Sequence, residues 1–230
     1  MLKIPYNPYK PHKDNIIILY TPQKMLITKL LKFVFTTSLK YSIDESHGLT
    51  HSMNVLNHAH NIYKNELYKY PPIQEYERII YTSAIVHDMC DKKYMNQDEG
   101  IKEIENFLKD KLTFEELGVT KEIISTMSYS TVKKNGFPNL GKYQFAYHIV
   151  READLLSAYD FDRCMIFELN RHDFDFYNAF DDAKNLFDNR VFKHNEDGLF
   201  ITDYAKFESQ ILHAMAKKRI DDWENIIIKM

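Results

Sequence analysis

Two adjacent His-Asp pairs, His87-Asp88 and His172-Asp173, are the first residues that could do chemistry. Such a pair is a weak signal by itself. With 10 His and 18 Asp in 230 residues, about one arises by chance. Context separates the two. His87-Asp88 closes the apolar run Ile79 to Val86. On a helix, His87 shares its face with Ile80 and Ala84, and Asp88 with Tyr81, Ala84 and Ile85. Both polar groups are then aimed at a core surface, where an unpaired carboxylate is costly. A metal ion would satisfy both; a buried His paired with a neighbour is the competing reading. His172-Asp173 lies in the polar stretch Asn170 to Asp175 and reads as a surface helix end.

The wider order of residues adds two further donors. His51 lies in His47-Gly48-Leu49-Thr50-His51-Ser52-Met53-Asn54-Val55, and Asp154 in Val150-Arg151-Glu152-Ala153-Asp154-Leu155-Leu156. A His, a His-Asp pair 36 residues on, and an Asp 66 residues later resemble the HD-domain metal-dependent phosphohydrolase superfamily. Ser46-His47-Gly48-Leu49-Thr50-His51 is similar to the first-histidine motif, and Ala84 through Tyr94 to the central one. Ile124 through Ser130 and Glu152 through Leu156 resemble the distal segments. The resemblance spans about residues 25 to 170.

It implies one divalent metal held by His51, His87, Asp88 and Asp154. Two neutral imidazoles and two carboxylates balance a divalent ion and leave room for water and a substrate oxygen. Mn²⁺ is the choice that the resemblance implies; Fe²⁺, Co²⁺, Ni²⁺ and Zn²⁺ suit the same donors. Asp91, one turn past His87 on a helix, takes a general acid/base or water-orienting role by carry-over. The relatives that hydrolyse (p)ppGpp have Glu-Asp where this chain has Asp91-Lys92. Two-metal members need more histidines between the central pair and the last Asp. Only His148 is available there, so a mononuclear site is expected.

Substrate oxygens need positive partners. The candidates are Lys92 and Lys93 beside the site, Lys133 and Lys134 in a Ser/Gly segment, and Arg151 one turn before Asp154. His47, four residues before His51, is a candidate phosphate contact. The remaining histidines read as background. The expected reaction is hydrolysis of a phosphate ester or anhydride in a small, nucleotide-like substrate. A metal-binding sensor or scaffold and a phosphodiesterase on oligonucleotides are the alternatives.

Helices must carry these residues. Thr21-Pro22 reads as an N-cap and N1 pair opening a helix with Met25, Leu26, Leu30, Phe33 and Val34 on its apolar side. Further helices are expected near 46–69, 74–91, 96–111, 120–127, 142–158, 161–170, 174–187 and 202–228. Asn96 with Glu99 gives a capping signal. Ser128–Gly141 and Asn189–Leu199 read as loops, and 160–188, with eight acids against three bases, as a solvated face. The last helix carries Tyr204, Phe207, Ile211 and Met215 on one stripe. Residues 1–20 read as an extended lead with a short strand at Ile16–Tyr20. The expected fold is all-α: a hydrolase domain over 21–190, with 191–230 packed on it.

Composition bounds the rest. Six Gly, 44% hydrophobic and 14% aromatic residues argue for a packed helical protein rather than a disordered chain. Thirty Lys and Arg against 33 Asp and Glu give a net charge of −3, so no duplex nucleic acid or membrane partner is expected. Two Cys build no disulfide scaffold, which points to the cytoplasm. Oligomeric state is left open.

Overall fold

The computed structural model describes residues 22–229 of the chain. The lead over 1–20, its strand, the Thr21 cap and His12 lie outside the described residues. Among the described residues the fold is all-α, with ten α-helices and no strand. They are α1 (Pro22–Tyr41), α2 (Leu49–Leu67), α3 (Glu77–Val86), α4 (Gln97–Leu108), α5 (Phe114–Thr126), α6 (Tyr129–Asn135), α7 (Gln144–Ser157), α8 (Phe161–Arg171), α9 (Phe176–Asn189) and α10 (Asp203–Lys229).

Helices α2, α3 and α7 pack against one another at the centre. Their buried Val55, Ile62, Ile80, Ala84, Ile149 and Ala153 belong to one apolar cluster, which α8, α9 and α10 extend. A second cluster joins Leu30 and Val34 of α1 to Ile85, Val86 and Met89, and to Ile104 and Leu108 of α4. Helix α3 serves both clusters, which explains why all eight residues from Ile79 to Val86 are buried.

Local chemistry sets the helix boundaries. Asn96 Oδ1 accepts from the Asp98 and Glu99 backbone N–H groups and opens α4. Thr113 and Glu116 form a reciprocal capping box, so α5 begins six residues before the expected Thr120. Ser128 caps α6, a helix inside the segment read as loop; Gly136, at φ +73°, ends it. The helix expected over 74–91 divides into a 3-10 turn at Pro71–Tyr76 and α3, which stops at Val86. His87 to Cys90 therefore forms a turn, held partly by Met89 N–H to the Val86 carbonyl at 3.0 Å.

That turn lies close to α4. A Cβ built on Gly100 would stand 2.7 Å from the Cys90 Cα, so only glycine permits this approach. On α10 the expected stripe is displaced. Ala205, Ser209, Ala216 and Ile220 are buried, while Phe207, Ile211 and Met215 face outward. The helix packs on α7, α2 and α8, with Tyr204, Leu212 and Trp223 partly buried against the same core.

Candidate metal centre

The central helices bring one donor atom each of His51, His87 and Asp154 within 4.8 Å of one another, and Asp88 adjoins them through both of its oxygens. His51 comes from α2, His87 and Asp88 from the end of α3, and Asp154 from α7. His51 Nε2 lies 3.1 Å from His87 Nε2, 3.2 Å from Asp88 Oδ2 and 3.3 Å from Asp154 Oδ1. His87 Nε2 is 3.3 Å from Asp88 Oδ1 and 3.6 Å from Asp154 Oδ1. Two ligands at about 2.1 Å from one ion, at tetrahedral to octahedral angles, stand about 3.0–3.4 Å apart. Four of these five separations fall in that interval, and the fifth lies just beyond it.

Hydrogen bonding fits the same assignment. His87 Nδ1 lies 2.9 Å from the Ala84 carbonyl, which only accepts. Nδ1 therefore carries the proton, and Nε2 presents its lone pair to the cluster when the ring is neutral. His51 Nδ1 is buried and has no hydrogen-bond partner among the described residues, and buried Asp88 Oδ2 has only the His51 imidazole beside it, at 3.2 Å. A buried carboxylate oxygen met by a single imidazole is under-satisfied, and a cation would complete it. Without an ion the cluster holds itself by charge. Burial opposes the charged forms, but Asp88 and Asp154 outweigh it and raise the His87 pKa well above the ordinary histidine value. Both carboxylates are held well below the usual range by His87 and His51, again against burial.

The cluster opens on a cavity of about 510 Å³, within the range of small-ligand sites. His47, Asp91, Lys92 and Lys93 line it. Asp91 Oδ1 accepts from the Lys93 backbone N–H at 2.9 Å, and burial together with the Asp88 charge pushes its carboxyl up. Lys93 Nζ lies 2.9 Å from His47 Nε2. Since an ammonium only donates, Nε2 accepts, and His47 Nδ1–H faces Ser46 Oγ at 2.7 Å. Burial lowers His47 to about 3, consistent with a neutral ring that orients Lys93.

Three expected substrate contacts, Lys133, Lys134 and Arg151, do not line the cavity. Lys133 Nζ pairs with Asp197 at 2.6 Å and does not line the cavity, because α6 turns it toward the segment after α9. Arg151 is buried and lies over the Phe137 ring; it bonds the Leu199 carbonyl and Glu152, so it supports the fold. His148 faces Gln144 and Phe137 and does not line the cavity. His172 pairs with Asp182 at 2.9 Å and is part exposed, in keeping with a helix-end reading. Glu168, His172 and Asp182 do bring three donors together, but Arg171 already neutralises Glu168 at 2.9 Å.

Sequence reasoning passed over the cavity's arginines. Arg163, Phe167 and Arg171 line it from α8, and Arg190 from the end of α9. The i, i+4, i+8 spacing of the first three was readable as one helix face. It was obscured by the acidic excess over 160–188, most of which faces elsewhere. No family model, curated protein or solved structure matches the chain.

Proposed function

We propose that the chain is a mononuclear metal-dependent phosphohydrolase of the HD type, acting on a small phosphorylated substrate such as a nucleotide. The observation that carries this reading is the convergence of His51, His87 and Asp154, with Asp88 in contact with both histidines, beside a cavity that also holds Asp91 and several cations. A bound divalent ion, Mn²⁺ by resemblance, would supply Lewis acidity and lower the pKa of a water.

The chain's own residues would do the rest. Asp91, with its carboxyl raised, is suited to take a proton from the attacking water and return one to the leaving group. Lys93, steered by His47, and Lys92 would hold substrate oxygens. Ile124, Leu155 and Phe187 give the cavity apolar walls that limit water. No helix among the described residues is long and apolar enough to cross a membrane, and both cysteines are free; a cytoplasmic setting belongs to the same proposal.

The test is a panel of nucleotides and phosphate esters incubated with Mn²⁺-loaded protein, with released phosphate and pyrophosphate measured. Release that stops on chelation supports the proposal. A folded, metal-loaded chain that releases neither from any substrate would favour a metal-bound sensor instead.

A further inference from the structure

Five carboxylates and five basic side chains line the cavity. With its histidines neutral, the lining is balanced, and a divalent ion in the cluster leaves a net charge of +2. Two of the cations stand out by their partners. Arg163 Nε donates to the Ser46 carbonyl and makes no ion pair among the described residues. The Arg190 guanidinium carbon lies 4.2 Å from the Tyr129 ring centroid, and Arg190 likewise makes none. It feels the Asp154 charge at longer range, and burial lowers its pKa. A partly buried guanidinium without a carboxylate is costly unless an anion arrives. The cation–π contact with Tyr129 uses none of the Arg190 N–H donors, which stay available to an oxyanion.

We infer that Arg163 and Arg190 seat a terminal phosphate, and that the site takes phosphomonoesters and terminal phosphoanhydrides in preference to phosphodiesters. A terminal phosphate carries about −1.5 to −2 at pH 7 and matches the metal-loaded cavity. A diester carries a single charge and offers only two unesterified oxygens, which leaves one guanidinium underused. The inference rests on the metal-centre reading, through the +2 charge, and it opposes an oligonucleotide phosphodiesterase.

The test is calorimetric titration of the Mn²⁺-loaded chain with methyl phosphate and dimethyl phosphate at pH 7.5. Methyl phosphate binds at least about tenfold tighter, the scale of one hydrogen bond to a charged group. R163Q/R190Q loses most of that preference at unchanged Mn²⁺ content and melting temperature, while K133Q behaves as wild type. Should the double variant not fold, R163K and R190K each keep the charge but lose the fork, and several-fold weaker methyl phosphate binding is expected. Equal binding of both esters by wild type, or an intact preference in the arginine variants, would overturn the inference. So would a loss of Mn²⁺ in R190Q, which would make Arg190 a support for Asp154. If wild type binds no Mn²⁺, it is the metal-centre reading that fails. Methyl phosphate titration of the metal-free chain then still tests the arginines, and equal affinity in wild type and R163Q/R190Q overturns their role.

Discussion

His51 Nε2 faces His87 Nε2 at 3.1 Å across the contact between α2 and the end of α3. Two neutral imidazoles that close share one proton at most. His87 keeps a proton on Nδ1 against the Ala84 carbonyl, so a neutral ring points its Nε2 lone pair at His51, whereas in the metal-free fold Asp88 and Asp154 favour a second proton there. A core that places two such rings beside two carboxylates concentrates lone pairs where an apolar pack would be more stable. A cation resolves the conflict, and the account of function grows from that single contact.

Asp91 is assigned the proton transfer. Asp91→Asn keeps the size and the bond from the Lys93 backbone but removes the base. Turnover should fall by about 10²–10⁴ with Mn²⁺ content unchanged, as steady-state rates and metal analysis would show. Wild-type turnover in the variant would remove Asp91 from the mechanism.

Gly100 holds α4 against the turn that carries His87, Asp88 and Asp91. Gly100→Ala places a methyl 2.7 Å from the Cys90 Cα and 2.8 Å from Met95 Sδ. The backbone of the turn must shift, at a cost of about 1–3 kcal/mol in urea unfolding. Activity falls with it, although Gly100 touches no substrate. An alanine variant with native stability would show that the turn yields freely.

Burial and the nearby Arg151 charge hold His148 down to about 4. Its ordinary value is about 6.5, so the unfolded chain takes up a proton there that the fold refuses. The His148 contribution is fully present above pH 6.5 and is lost as pH falls toward about 4. His87, raised in the metal-free fold, works in the opposite direction. The informative quantity is thus the difference between wild type and His148→Gln in urea midpoints at pH 7.5 and 4.5. The variant should lose less stability between the two; an equal loss would mean that His148 titrates normally.

Much of this molecule was legible from periodicity and capping chemistry. Asn96 announced α4, and Pro22 matches the start of α1, because both signals act within one turn. Helix α6 was not legible: Ser128, Asn135 and Gly136 are turn formers, and the helix depends on Val132 reaching the core. On α10, four large apolar residues suggested the buried stripe; Tyr204 does pack on the core, but close approach to α7 and α2 selected Ala205, Ser209 and Ala216 in place of Phe207, Ile211 and Met215. The four proposed ligands were readable since their order along the chain is distinctive. Arg163 and Arg171 share a readable face of α8 with Phe167, but nothing local marks that face as a cavity wall or distinguishes Arg190 from a solvated charge; only the placing of α8 and α9 around the site does.

Metal content tests the central claim most directly. Wild type, His87→Ala and His172→Ala are soaked in Mn²⁺, freed of unbound ion by gel filtration and assayed for metal per chain, with circular dichroism confirming the fold. The account predicts about one equivalent in wild type and His172→Ala and almost none in His87→Ala. Equal retention by the two variants, or no retained metal in folded wild type, would contradict it.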